Sequence, residues 1–170
     1  MLFRSFPLLE VFRAIDAGAK KVREALGIEI RWVADLVRNK LEVSEFTFQK
    51  LMQLDLTQYG VCALGLGGPE KGYSAQPFKD MFTEAKQRGF KSNPHAGEGD
   101  GPASVAFCMN TLNADRIGHG VRAWEDPRLV QEMIEKNISI EVCLSSNFQL
   151  GLFNLEDHPV RKLDRKSTRL

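Results

Sequence analysis

A chain of 170 residues with 43% hydrophobic and 26% charged residues has the balance of one globular domain and not of a disordered segment. Its 23 Lys and Arg stand against 22 Asp and Glu, a formal charge of +1 that lacks the concentrated basic excess of a general nucleic-acid binder. No apolar run approaches the roughly 20 residues of a membrane span, and the start lacks the basic n-region and cleavage site of a secretory signal, so no membrane partner and a cytoplasmic location are expected.

Val11, Phe12, Ile15, Val22, Ala25 and Leu26 recur at helical spacing and predict a helix over residues 7–26, stopped by Gly27. Ile28–Val37 reads as a strand. Ser44 is suited to cap a second helix that turns Phe48, Leu51, Met52 and Leu56 inward and ends at Gly60. Val61–Leu66 is almost wholly apolar, as a parallel strand buried on both faces would be. Pro77 opens a helix with Phe78, Met81, Phe82 and Ala85 on one face, closed by Gly89, and Phe90–His95 is the next strand. Pro102 suits the first position of a helix running to about Leu112. Asp115–His119 is a short strand. Asp126 and Pro127 start another helix that Asn137 ends, Ile138–Leu144 is the last strand, and a final helix begins near Asp157.

This alternation of strand and helix implies a parallel sheet, and on pattern alone a doubly wound sheet and a (β/α)8 barrel both remain open. Neither GxGxxG nor GxxxxGK[ST] occurs. The three cysteines, Cys62, Cys108 and Cys143, are far apart among apolar neighbours and read as small buried thiols, not as a zinc site. Trp32 and Trp124 are expected at core or rim positions, and His158-Pro159 at a helix start.

In parallel α/β folds, chemistry collects at the C-terminal ends of strands. Four successive strand ends here carry unusual residues: Gly65-Leu-Gly-Gly-Pro-Glu70, Asn93-Pro-His-Ala-Gly-Glu-Gly-Asp-Gly101, Arg116-Ile-Gly-His-Gly120 and Cys143-Leu-Ser-Ser-Asn147. Taken alone, each has a plain structural reading. His95 and His119 are turn histidines, Glu98 is a solvated carboxylate, Gly67 and Gly68 serve a strand-to-helix turn, and Ser145, Ser146 and Asn147 make polar turns. Imidazole is also a common zinc ligand, and a carboxyl group three residues away on the same loop can reach metal-bound water. In a barrel the four ends would meet at one face, which favours a single active site.

At these residues the sequence resembles the adenosine deaminase family of purine aminohydrolases, and the GLGGPE form resembles its bacterial adenosine deaminase-like branch. His-Ala-Gly-Glu at 95–98 followed by Arg-Ile-Gly-His-Gly at 116–120 is the specific part of the match, which runs from about residue 10 to residue 163. The resemblance implies a (β/α)8 barrel with one catalytic Zn2+ and hydrolytic deamination of an adenine ring, such as adenosine to inosine plus ammonia, with a purine nucleoside or base as small-molecule partner. By motif, it implies that His95 binds zinc, that Glu98 protonates the purine ring nitrogen, that His119 orients the attacking water and that the Gly68 N–H contacts the purine. The cytidine-type deaminase signature with PCxxC is absent.

The family's opening HxH pair and closing Asp-Asp pair, which supply further zinc ligands, do not occur in this sequence. A complete barrel takes about 250 residues. The expectation is therefore an α/β fold forming a partial (β/α)8 TIM barrel, approximately strands three to seven with their helices. Residues 1–163 would form this incomplete domain, followed by a non-matching basic tail over 164–170. Such a chain alone is expected to have little or no deaminase activity and poor solubility. A non-catalytic deaminase-like regulatory or scaffold protein and a metal-independent TIM-barrel hydrolase are the alternatives.

Overall fold

A computed structural model describes residues 7–154 and 156–167. Residues 1–6, the first part of the start, and residues 168–170, the end of the expected tail, lie outside the described residues.

Among the described residues five strands form one sheet: β1 (Trp32–Val37), β2 (Val61–Gly67), β3 (Lys91–Ala96), β4 (Arg116–His119) and β5 (Ser139–Glu141). Every neighbouring pair is parallel, and the spatial order is the chain order, β1-β2-β3-β4-β5. A doubly wound sheet reverses its strand order at a switch point, whereas a barrel adds each strand beside the last. The unreversed order is that of an arc of a (β/α)8 barrel, and it resolves the ambiguity left by the sequence pattern.

Among the described residues seven α-helices accompany the strands: α1 (Leu8–Leu26), α2 (Leu41–Met52), α3 (Lys79–Gln87), α4 (Pro102–Thr111), α5 (Pro127–Glu135), α6 (Leu144–Gln149) and α7 (Val160–Ser167). The core lies between the sheet and these helices. Leu36, Leu64, Leu66 and Ile117 point from the strands to meet Phe48, Phe78, Phe82, Val105 and Leu112, all buried. Burying each such side chain is worth about 2 kcal/mol. Alternate strand residues face the other way. On that face Val33 and Val37 are exposed, and Asn93 Nδ2 donates to both Glu141 carboxylate oxygens at 3.2 Å. Among the described residues no helix is long and apolar enough to cross a membrane.

Several boundaries differ from the sequence expectation, each for a local reason. β1 begins at Trp32 and not Ile28, because its partner strand begins at Val61, opposite Trp32. Ser44 does not cap α2 but lies inside it. Its Oγ accepts from the Val37 N–H at 2.9 Å and donates to the Val37 carbonyl at 3.1 Å, closing the end of β1. α2 stops at Met52, and a 3-10 turn over Thr57–Tyr59 then leads through Gly60 into β2. β5 keeps only Ser139–Glu141, because Leu144 already belongs to α6. Cys108 is fully buried, as expected, and burial pushes its thiol up to about 11. Cys62 and Cys143 are exposed instead: Cys62 is the extra residue where the β1–β2 register shifts, and Cys143 sits where β5 has ended.

Candidate active site

His95 is the fifth residue of β3, and its ring lies across β4. A Cβ on Gly118 would come within 2.4 Å of His95 Cδ2, so the glycine makes room for the imidazole. The chain then turns at Gly97, with φ +69°, where a Cβ would meet Val105 Cγ2 at 2.4 Å; only glycine fits this bend. The bend is tied to the end of β4 by two backbone hydrogen bonds, Gly120 N–H to Ala96 O and Arg122 N–H to Gly97 O, both 2.9 Å. These bonds bring the loop that carries Glu98 against His119.

His119 ends β4 in the left-handed region, with φ +63°, followed by Gly120 at φ +67°. For a residue with a Cβ that conformation costs roughly 1–2 kcal/mol. Without the kink, strand alternation would send the side chain of residue 119 toward the helices beside Ile117. With it, the buried imidazole lies 4.9 Å from the His95 ring, edge to face at 79°. His119 Nδ1 is 3.2 Å from Glu98 Oε1, within ion-pair distance but off the line of a directed hydrogen bond, and it has no other partner among the described residues. Burial pulls the His119 imidazole below the usual histidine value; Glu98 opposes the shift and His95 adds to it. His119 is therefore neutral near pH 7 and available to accept a proton.

Glu98 also receives contacts from α6. Ser146 Oγ lies 3.3 Å and Asn147 Nδ2 3.4 Å from the same Oε1. Asn147 is fully buried, and its Oδ1 meets His158 Nε2 at 3.1 Å, which anchors the α6 side of the site to the segment before α7. Ser145 is exposed and does not join this group. Gly68 turns out of β2 at φ +87°, one strand from His95, with Val37 Cγ1 and Asn39 Oδ1 beside the position a Cβ would take.

A catalytic zinc ion takes three protein ligands as a rule. Among the described residues no group of three or more His, Cys, Asp or Glu is arranged to hold a metal ion. His95 is the one expected ligand in place, and the residues present do not fit zinc on their own.

The family model for adenosine deaminase matches residues 3–170. The chain belongs to the adenosine deaminase family. Among its curated relatives, the aminodeoxyfutalosine deaminase of Streptomyces avermitilis is 36% identical over 154 residues, covering 89% of this chain and 43% of that protein. The adenosine deaminase of Serratia proteamaculans is 36% identical over 160 residues, covering 94% of this chain and 48% of that protein. The crystal structure of adenine deaminase from Arthrobacter aurescens superposes with a TM-score of 0.87 at 24% identity, over 96% of this chain and 50% of that one. That likeness shows the fold. The chain spans about half the length of the curated relatives it matches.

Three polar residues of this deaminase-family site escape a reading by motif. Asp35 lies on the open face of β1, and burial raises its carboxyl pKa, partly offset by His95 and reinforced by Glu141. Arg38 and Glu70 are 4% and 8% exposed, unusual burial for charged residues. Glu70 stands in a quoted motif without a role, and Arg38 follows an apolar strand with nothing in the sequence to mark it.

Proposed function

We propose that this chain carries the proton-transfer part of a purine aminohydrolase site, with Glu98 and His119 as its catalytic residues. The observation that supports the reading most is the 3.2 Å approach of Glu98 Oε1 to His119 Nδ1, made by two different strand ends. In this reading Glu98 is the group that delivers a proton to a ring nitrogen of the adenine ring, which lets C6 accept water. Neutral His119 orients that water and takes its proton. His119 then passes that proton to the amino group, which leaves as ammonia while the C6 hydroxyl proton returns to Glu98, so atoms and charge balance. Ser146 and Asn147 hold the Glu98 oxygen in place, and the Gly68 N–H binds the purine.

Zinc dependence is part of the proposal by family resemblance, with His95 as one ligand. Such an ion, if held by His95 and further ligands, would make a water molecule more acidic and so ease its attack. The family's remaining zinc ligands are absent from this chain, so the chain by itself is proposed to bind an adenine-ring compound yet to release ammonia slowly or not at all. The named relatives act on aminodeoxyfutalosine, adenosine and adenine. Their shared element is the adenine ring, which is the substrate class proposed here. The same reading places an incomplete barrel domain over residues 1–163 and a cytoplasmic location.

Equilibrium dialysis of the purified chain with adenosine and with adenine, alongside an ammonia assay, tests this. Binding that Glu98→Ala weakens by about tenfold or more supports the assignment, at the scale of one lost hydrogen bond. Binding of neither compound contradicts it, and rapid ammonia release contradicts the proposed inactivity.

A further inference from the structure

We infer that Arg38 and Glu70 are a pair of buried positioning residues that grip the segment His95–Asp100 from its two ends. Glu70 Oε1 accepts from the Gly97 N–H at 2.7 Å and the Ser104 hydroxyl at 2.5 Å. Its Oε2 accepts from the N–H groups of Glu98, Gly99 and Asp100 at 3.0, 2.8 and 2.9 Å. Four successive backbone donors thus converge on one carboxylate. Arg38 takes the opposite pole: Nη2 donates to the His95 carbonyl, and Nη1 donates to the Tyr73 carbonyl at 3.2 Å. Tyr73 N–H in turn donates to the Glu70 carbonyl at 3.1 Å, so the turn that carries Glu70 is bound to Arg38 as well.

The chemistry explains why charges are spent here. The chain bends at Gly97, and α4 does not begin until Pro102. The N–H groups between them have no helical carbonyl to bond, and buried donors without acceptors are costly. Successive N–H groups in a bend form a nest that favours an anion. A carboxylate has about four lone-pair sites and no donor, so it can satisfy the whole nest. A glutamine amide would turn an NH2 against some of the same donors. With all its acceptor sites filled, Glu70 has none left for a substrate, and its effect passes through the backbone of Glu98. Burial raises its pKa and the Ser104, Asp100, Gly97 and Glu98 donors outweigh that, so it stays ionised at neutral pH.

The consequence is that Glu98 is preorganised before any ligand arrives. This rests on the purine-deaminase reading for what the segment does, but it can be tested without a purine. Amide hydrogen exchange, read by NMR on the full chain, should show Gly97, Glu98, Gly99 and Asp100 protected in the wild type although they lie in a loop. In Glu70→Gln these four amides should exchange at least ~30-fold faster, the scale of lost charge-assisted bonds, while Leu64 and Leu66 are unchanged. The ring 15N shifts of His119 at fixed pH should move in the same variant, which a role in overall stability alone would not cause. Glu70→Asp keeps the charge but withdraws it by one methylene, and should give the same local signature. Unprotected amides at 97–100 in the wild type, needing no variant at all, overturn the inference. So does unchanged exchange in Glu70→Gln. Loop protection lost in Glu70→Gln without any purine binding overturns the deaminase reading alone; purine binding with unchanged exchange overturns the clamp alone.

Discussion

The two ends of β4 handle their polar groups differently. Just before the strand, Asp115 accepts from Lys86 Nζ at 2.7 Å, from Lys91 Nζ at 3.3 Å and from the Ser92 N–H at 2.8 Å. Burial raises its pKa, but these donors outweigh it and hold the carboxyl below its usual value. At the far end of the strand, His119 is kinked into the left-handed region and faces Glu98 with an unaligned Nδ1. One end satisfies its charge with ordinary geometry. The other keeps strain and an unspent hydrogen-bonding atom, as functional sites do. In barrels the two ends divide stability from chemistry in this way.

The largest effect should come from the bend that creates the second arrangement. Gly97→Ala combines a left-handed φ with a Cβ 2.4 Å from Val105 Cγ2, and should cost about 3 kcal/mol of stability in urea unfolding. A loss below about 1 kcal/mol would mean that the bend relaxes freely. The strain at His119 gives a finer test. His119→Gly should be more stable than His119→Ala by roughly 1 kcal/mol, because only alanine keeps the Cβ that the left-handed region penalises. Equal stabilities would show that no strain is stored there.

The smallest effect belongs to the other end. Asp115→Asn should cost no more than about 1 kcal/mol at pH 7, since partly exposed ion pairs contribute little. Both Asp115 and Glu70 have folded pKa values below their ordinary 3.8 and 4.5. Their contribution is therefore full above those values and is lost as pH falls through the lower, folded ones. Stability of the wild type should fall on acidification below about pH 4.5, and Asp115→Asn should fall less steeply. An identical acid slope in both would remove Asp115 from the account.

Much of this architecture is legible in the sequence. Gly27 and Gly89 follow the ends of their helices in the left-handed conformation that glycine favours, whereas Gly60 in that conformation closes a 3-10 turn and not the helix it was expected to end. Asp126 caps α5, its Oδ1 accepting from Arg128 N–H at 2.9 Å, as its place before Pro127 suggests. The clusters at the ends of β3, β4 and β5 do meet, since Glu98, His119, Ser146 and Asn147 share one carboxylate oxygen. What the sequence hides is pairing across the fold. β1 is shortened by where β2 begins, Ser44 is claimed by Val37 from seven residues away, and Glu70 is spent on donors some 30 residues on. Propensity and motif describe a residue among its chain neighbours, whereas these roles depend on which strand lies alongside.

The most direct test of the central claim is residue-resolved. The backbone amide spectrum of the full chain should be recorded while adenosine is added. Shifts are expected to concentrate at Gly68, Glu98 and His119, with the amides around Asp115 unmoved. Saturating shifts confined to other surfaces, or none at millimolar adenosine, would contradict the placement of a purine site at this end of the sheet.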